Sequence, residues 1–309
     1  MGNNWLGWRA LAWLRERGTD VVGVALHPAE RRRYGEEILS AAALAKDRVF
    51  DASRLREPDV QRAITALGPD IGLSVLLGYI LTPEFLSSFG RGVVNLHTGW
   101  LPFNRGAHPN VWSIVKQKPA GVTLHWMDTR VDTGDIIARK QVEVSAEDTG
   151  KSLYHKLETA ALALLEQTWP TIEAGRAPRE RQSGVSTSHR VRDLELIDEI
   201  ELDRSYSARY LIDILRARTF PPYRGAFFRA DGKRTYMSVS LESEALNDKV
   251  ETNRRTREGE CVEEIDLNAC YRARDLIEVM RASPRTRGAF FLADGKRVYI
   301  RVSLETASS

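Results

Sequence analysis

The 309-residue sequence lacks the features of several specialised protein classes. Its only cysteines, Cys261 and Cys270, form no CxxC motif and have no companion histidine cluster, which excludes a disulfide framework and a common zinc signature. It contains no apolar run of the roughly 18 to 20 residues that a membrane-spanning helix needs. The net charge of +3 does not indicate a nucleic-acid or membrane partner. We therefore expect a soluble, cytoplasmic protein that uses no metal.

The first 175 residues alternate between segments of helical periodicity and short apolar runs that are typical of buried strands. Alternation of this kind predicts an α/β fold with a doubly wound, mostly parallel sheet. Ligands of such sheets bind at the carboxyl ends of the strands. The predicted strands are 20–27, 70–77, 92–96, 121–128 and 135–144.

Two polar residues, Asn95 and His97, end the apolar run "GVVNLH". Side chains alternate along a strand, so both point to the same face. Buried polar groups cost free energy unless they have partners. Either both are satisfied by hydrogen bonds within the fold, or they face a pocket and take part in chemistry.

A third candidate is Asp132, which opens the turn "DTGD" before strand 135–144. We expect this turn to lie at the same sheet edge as His97, so that Asn95, His97 and Asp132 converge. A histidine oriented by a carboxylate can take up a proton near neutral pH, and an asparagine N–H can stabilise an oxyanion. With no serine or cysteine nucleophile, this set suits acyl transfer to an amine of the substrate. Each feature alone is common in ordinary structural settings.

The stretches "NLHTGWLPFNRGAHPNVW" and "GVTLHWMDTRVDTGDI" resemble the signature of the 10-formyltetrahydrofolate-dependent formyltransferases, over about residues 2–175. The resemblance implies a Rossmann-like fold, although the sequence has no GxGxxG fingerprint, and 10-formyltetrahydrofolate as co-substrate. It implies that Asn95 stabilises the transition state, that His97 transfers the proton, and that Asp132 orients His97 and favours its protonated form. It also implies a folate site formed by the backbone of one segment, at Tyr79, Ile80 and Leu81, and by a loop. The loop residues are Asp128, Thr129, Arg130, Val131 and Asp132.

Within this family, the form "NRGAHPNVW" resembles enzymes that formylate nucleotide-linked amino sugars. A tRNA-binding domain should be basic, because phosphate contacts dominate affinity, yet residues 181–309 hold 23 Lys plus Arg against 21 Asp plus Glu, a net charge of +2. We expect the acceptor to be the primary amine of a nucleotide-linked amino sugar. Methionyl-tRNA formyltransferase, a catalytically impaired folate-binding or assembly protein, and a hydrolase of 10-formyltetrahydrofolate stay open as alternatives.

The C-terminal part contains an internal duplication. We predict a catalytic domain over 1–180, a linker over 181–195, and a smaller α+β region over 196–309 with a first repeat (196–242) and a second repeat (261–305). Each repeat reads as a helix followed by a β-hairpin, and "RGAFFRADGKRTYMSVSLE" recurs as "RGAFFLADGKRVYIRVSLE". The Asp-Gly dipeptides within these segments are typical of two-residue hairpin turns. We expect the region to be structural or interfacial and to support a homodimer.

The resemblance also creates an expectation about the first strand. The family begins with an apolar strand that leads into a glycine turn, and Gly2-Asn3-Asn4 resembles that turn with only Met1 before it. We expect this central strand to be missing, which leaves costly unpaired backbone groups in its neighbours.

The chain as written should therefore melt at a lower temperature than a chain extended upstream by a Val/Ile-rich strand. The check is a thermal unfolding comparison of the two. Equally cooperative melting of both chains would contradict the expectation.

Overall fold

The computed structural model describes residues 1–246, 263–281 and 289–307. Within these ranges the helices are α1 (Asn4–Glu16), α2 (Gly35–Ala42), α3 (Pro58–Ala66), α4 (Pro83–Leu86), α5 (Pro109–Val115), α6 (Gly150–Glu173), α7 (Glu195–Asp198), α8 (Ala208–Ala217) and α9 (Ala273–Met280). The strands are β1 (Val24–Leu26), β2 (Val49–Asp51), β3 (Gly72–Val75), β4 (Val93–His97), β5 (Arg105–Gly106), β6 (Ala120–Trp126), β7 (Ile136–Val142), β8 (Ser188–His189), β9 (Ser205–Ser207), β10 (Phe227–Ala230), β11 (Lys233–Ala245), β12 (Cys270–Arg272), β13 (Ala289–Ala293) and β14 (Lys296–Thr306). None of these helices is both long and apolar enough to cross a bilayer.

The chain divides into two compact units. The first unit comprises Met1–Pro109, Pro119–Val142 and Lys156–His189, and the second comprises Asn110–Lys118, Glu143–His155 and the chain from Arg190 onward. Within the segment predicted as a linker, 181–195, β8 pairs in parallel with β5 of the same unit. The predicted domain boundaries stay a prediction.

The sheet of the first unit confirms the predicted α/β class. The pairs β1–β2 and β3–β4 are parallel, whereas β4–β6 and β6–β7 are antiparallel. An apolar cluster that includes Leu55, Ile64, Leu77, Phe85 and Val93 forms a core of this unit. Helix formation follows local signals: α3 and α4 both begin with a proline in the first turn, where a missing N–H costs nothing.

The first residues of the chain lie between β1 and β3. Gly2 forms parallel bridges to both Leu26 and Val75, and the Met1 amine donates to the Leu73 carbonyl at 2.8 Å. A cleft of about 410 Å³ is lined by residues of both β1 and β3. Strand β1 is shorter than the predicted strand 20–27. Residues 20–23 border this cleft and pair with no strand in the described part of the chain. The expectation of a missing strand stays a prediction.

The second unit contains both C-terminal repeats in one sheet of order β10–β11–β14–β13. Strands β11 and β14 pair antiparallel along their length, from Thr235 with Thr306 to Ala245 with Lys296. Both hairpin turns have positive φ at their two central residues, which confirms the turns predicted from the Asp-Gly dipeptides; the angles are 49° and 73° at Asp231-Gly232 and 51° and 70° at Asp294-Gly295. Residues 261–262 and 282–288 of the second repeat lie outside the described residues.

Candidate active site

Strand β4 places Asn95 and His97 on one face of the sheet. The intervening Leu96 packs into the opposite side, where it is 1% exposed, as expected for side chains that alternate along a strand. The antiparallel register sets Asn95 opposite His125 of β6, and His97 opposite Thr123. Two adjacent strands therefore present polar side chains to the same face.

Asp132 lies at the centre of this group. Its Oδ1 accepts a hydrogen bond from Asn95 Nδ2 at 3.3 Å and lies 3.4 Å from His125 Nε2. Its Oδ2 accepts from the Gly106 N–H at 2.8 Å and lies 3.6 Å from His97 Nδ1. The structure thus brings together the three side chains that the sequence predicted to converge.

Asp132 reaches this position by a route that differs from the predicted one. Because β6 runs antiparallel to β4, the loop after β6 starts near the amino end of β4, where Met127 N–H donates to the Val93 carbonyl at 2.8 Å. The prediction that this turn lies at the carboxyl edge was therefore wrong. The loop folds back over the sheet face, and Asp132 has a φ of +52°, a left-handed conformation that aspartate tolerates better than most residues.

Gln182 holds this folded-back loop. Its Nε2 donates to the carbonyls of Asp132 at 2.9 Å and Gly134 at 2.8 Å. Its Oε1 accepts from Arg105 Nη2 at 2.7 Å and Nε at 3.2 Å. One amide therefore links the Asp132 backbone to β5, whose Gly106 binds the Asp132 carboxylate.

The two histidines differ in their second ring contact. His97 is 7% exposed, and its Nε2 lies 3.0 Å from the Asn104 carbonyl, so each ring nitrogen faces an oxygen acceptor. A protonated His97 can donate to both. His125 Nδ1 lies 2.9 Å from the Trp126 carbonyl, and its Nε2 lies 3.1 Å from Asn95 Nδ2 and 3.4 Å from Asp132 Oδ1.

The charge state of Asp132 follows from these contacts. Burial acts to raise the pKa of its carboxyl, but the charge of His97, the hydrogen bond and charge of His125, and the Gly106 N–H together hold that pKa well below its ordinary value of 3.8. Asp132 is therefore a carboxylate across the neutral pH range.

The residues predicted to contact folate occupy several environments. Leu81 is 4% exposed and packs into the apolar cluster of the first unit, whereas Ile80 is 55% exposed. Tyr79 and Met127 pack against that same cluster, so the first predicted segment and the start of the loop share a core. Their role in folate binding stays a prediction. In the loop itself, Thr129, Arg130 and Val131 are exposed, and Asp128 accepts hydrogen bonds from Arg130 N–H and Thr133 Oγ1.

Sequence reasoning missed His125, Gly106 and Gln182. His125 carried a detectable signal, because Thr123 and His125 alternate in the apolar run "GVTLHW" just as Asn95 and His97 do in β4. Gly106 and Gln182 carried none, since they act through a backbone N–H and through contacts between residues far apart in sequence.

Comparisons with known proteins agree on a family. The family model "Formyl transferase" matches residues 5–168, and the model "N-formyltransferase dimerization C-terminal domain" matches 193–243 and 259–306. A methionyl-tRNA formyltransferase of Symbiobacterium thermophilum is 34% identical over 71% of this chain and 68% of its own. The structure of a 4-N formyltransferase from Francisella tularensis has a TM-score of 0.66 at 24% identity and covers 75% of this chain and 93% of its own. An N-formyltransferase from Helicobacter canadensis, in complex with folinic acid and dTDP-3-aminofucose, has a TM-score of 0.58 at 16% identity and covers 80% of this chain and 88% of its own.

The depressed pKa of Asp132 predicts a pH-dependent stability difference. A carboxyl with a lowered folded-state pKa stabilises the fold above its unfolded-state value, and this stabilisation is lost as pH falls through the folded-state value. The free energy of unfolding lost in Asp132→Asn should therefore be largest near about pH 5 to 6 and should shrink toward about pH 3. Urea unfolding at several pH values measures it, with the exposed-site variant Asp47→Asn as control. A pH-independent difference for Asp132→Asn would contradict the assignment.

Proposed function

Because the chain belongs to the formyl transferase family, we propose that it transfers the formyl group of 10-formyltetrahydrofolate to the primary amine of a nucleotide-linked amino sugar. The observation that carries the proposal is the cluster of Asn95, His97, His125 and Asp132 on one sheet face. The cluster contains an amide donor, an imidazole with an acceptor at each nitrogen, and a buried carboxylate. It supplies no nucleophile of its own, which suits attack by a substrate amine.

The proposed reaction assigns a separate task to each side chain. The acceptor amine attacks the formyl carbon, a C–N bond forms, and the carbonyl oxygen becomes an oxyanion. Asn95, which is only half buried, turns an N–H to this oxyanion, and the Nε2–H of protonated His97 exchanges the Asn104 carbonyl for the oxyanion and donates the second hydrogen bond. His97 gives its proton to the folate N10 as the C–N10 bond breaks, and it takes up the proton that the attacking nitrogen loses.

In the proposal Asp132 acts by keeping the His97 ring in place. Its Oδ2 lies 3.6 Å from His97 Nδ1, on the ring side opposite the Asn104 carbonyl. Because the carboxylate stays ionised well below neutral pH, it remains an acceptor for the His97 Nδ1–H. His125 contacts the same carboxylate as His97 and also contacts Asn95, and it thereby holds Asn95 and Asp132 in their relative positions.

The acceptor class rests on two further observations. The C-terminal part is nearly charge-balanced, which disfavours a domain built to bind tRNA phosphates. The Helicobacter canadensis N-formyltransferase, which shares this fold, was solved with a dTDP-linked amino sugar and folinic acid. We propose the same classes of acceptor and folate here, without a metal, in the cytoplasm expected from the cysteine usage.

Methionyl-tRNA formyltransferase is the second candidate. The observation that favours it is sequence identity, because curated relatives with that name are 27% to 34% identical to this chain over about seven tenths of its length. The catalytic cluster does not discriminate between the two, since both reactions formylate a primary amine.

A direct acceptor assay separates these candidates. The protein is incubated with 10-formyltetrahydrofolate and one class of acceptor, at matched concentrations: dTDP- and UDP-linked amino sugars in one set of reactions and methionyl-tRNA in the other. Release of tetrahydrofolate is measured in each reaction. We expect turnover with an amino sugar and none with methionyl-tRNA. His97→Ala should lose at least about a hundredfold in kcat because the proton-transfer group is gone, while folate binding measured by fluorescence persists. Turnover with methionyl-tRNA alone would overturn the acceptor, and full activity of His97→Ala would overturn the mechanism.

Gln182 offers a second test of the geometry. Gln182→Leu removes the two N–H groups that hold the Asp132 and Gly134 carbonyls, and a small displacement of a catalytic group can cost up to about a hundredfold in rate. We expect kcat to fall by about tenfold or more while the KM for folate changes little. The control Gln141→Leu makes the same replacement at an exposed position on β7 and should leave kcat unchanged. Equal kcat values for both variants would contradict the positioning role.

A further inference from the structure

The two C-terminal repeats are related by a local two-fold axis. Repeat-equivalent residues lie 65 positions apart in the helical part, as in Ala208 and Ala273, and 63 positions apart in the hairpins, as in Asp231 and Asp294. Val239 of β11 pairs with Val302 of β14, which is its own equivalent in the other repeat.

The same relation holds at a second, separate place. Strand β9 pairs antiparallel with β12, and Tyr206 lies opposite Tyr271, again its own equivalent at the offset of 65. Self-equivalent pairs mark the axis of a two-fold arrangement, and here two of them occur in different sheets. The same hydrogen bond also occurs inside each repeat. The Ile200 N–H donates to the Phe227 carbonyl at 2.8 Å, and the Ile265 N–H donates to the Phe290 carbonyl at 2.7 Å.

Hydrogen bonds between the repeats are reciprocal. The Ala208 N–H donates to the Ala269 carbonyl at 2.9 Å, and the equivalent Ala273 N–H donates to the Arg204 carbonyl at 3.0 Å. A second reciprocal pair joins Arg209 N–H to the Leu267 carbonyl and Arg274 N–H to the Leu202 carbonyl. Reciprocity of this kind defines the isologous interface of a two-fold dimer, in which each copy gives the other the contact that it receives.

We propose that the second repeat occupies, within one chain, the place that the same repeat of a second copy would take in such a dimer. The name of the matching C-terminal family refers to dimerization, and its model matches this one chain at two places. The isologous interface is then complete in a single chain, and β11 and β14 lie inside the four-stranded sheet. Because both strands are already paired on each side, they offer no open edge to another copy.

The two repeats differ where the first meets the rest of its unit. Arg216 of α8 is buried, forms a 2.7 Å ion pair with Asp213, and donates to the carbonyls of Ser145 and Asp148. The equivalent positions in the second repeat, Glu278 and Arg281, are exposed. The second repeat therefore completes the sheet while its outer helix face stays charged and exposed.

A cysteine pair on the axis tests the arrangement. The Ala307 N–H donates to the Arg234 carbonyl, and hydrogen-bonded pairs alternate along an antiparallel ladder, so Val239 and Val302 form a non-hydrogen-bonded pair with closely spaced Cβ atoms. In a full chain carrying Cys261→Ser and Cys270→Ser, the double variant Val239→Cys/Val302→Cys is oxidised and run on a non-reducing gel. We expect a disulfide within one chain and no covalent dimer.

Single variants provide the matched controls. A homodimer built from two β11 strands would place Val239 opposite its own copy, so Val239→Cys alone would form a covalent dimer. A mixture of Val239→Cys and Val302→Cys chains would crosslink if the repeats were exchanged between chains. We expect neither product. A covalent dimer from the double variant, from Val239→Cys alone or from the mixture would overturn the proposal and would favour the homodimer expected from the sequence.

Hydrogen exchange provides a test that needs no disulfide. Protection of the β11 amides in the unmodified chain should be independent of protein concentration if their partner is β14 of the same chain, because only contacts between chains depend on concentration. Peptides covering β7 serve as the internal reference. Loss of β11 protection on dilution, with β7 unchanged, would overturn the proposal even if the cysteine pair failed to oxidise.

Discussion

The candidate site depends on one ionised carboxylate held in a mostly buried position. Burial of Asp132 opposes its charge, and the imidazoles of His97 and His125 and the Gly106 N–H outweigh that penalty. Removal of one partner from a buried charge is more costly than the net stabilisation by the intact group suggests, because the remaining charge loses its compensation. The contacts that offset the burial of the carboxylate also hold the two imidazole rings beside it, so the stability and the geometry of the candidate site have a common origin.

The sheet and the loop around Asp132 explain how these contacts arise. Strands β4 and β6 contribute the histidines by antiparallel register, and the loop between β6 and β7 must fold back to bring the carboxylate to them. That fold-back needs a left-handed residue and an anchor, which Asp132 itself and Gln182 provide. Gln182 in turn is bound by Arg105, the neighbour of Gly106. The site is thus stabilised by segments that are not adjacent in the chain, which is typical of a preorganised active site.

The duplication in the C-terminal part bears on how the protein assembles. Duplication of a self-complementary unit lets one chain make contacts that otherwise need two, so formation of the interface no longer depends on protein concentration. In this arrangement the chain carries one candidate site for each complete two-fold sheet. Formation of the sheet is then a property of a single chain.

Sequence patterns alone determined the α/β class and the Asp-Gly hairpin turns, because alternation along a strand and local turn chemistry act over a few residues. They also indicated Asn95, His97 and Asp132 as candidates, and the roles of these residues stay a prediction. The route of Asp132 could not be predicted, since it depends on the direction of β6 relative to β4. Likewise, the pairing of Val239 with Val302 follows from strand register and not from the repeat itself. Only the tertiary structure decided the roles of Gly106 and Gln182, because a backbone N–H and a contact across dozens of residues leave no local pattern in the sequence.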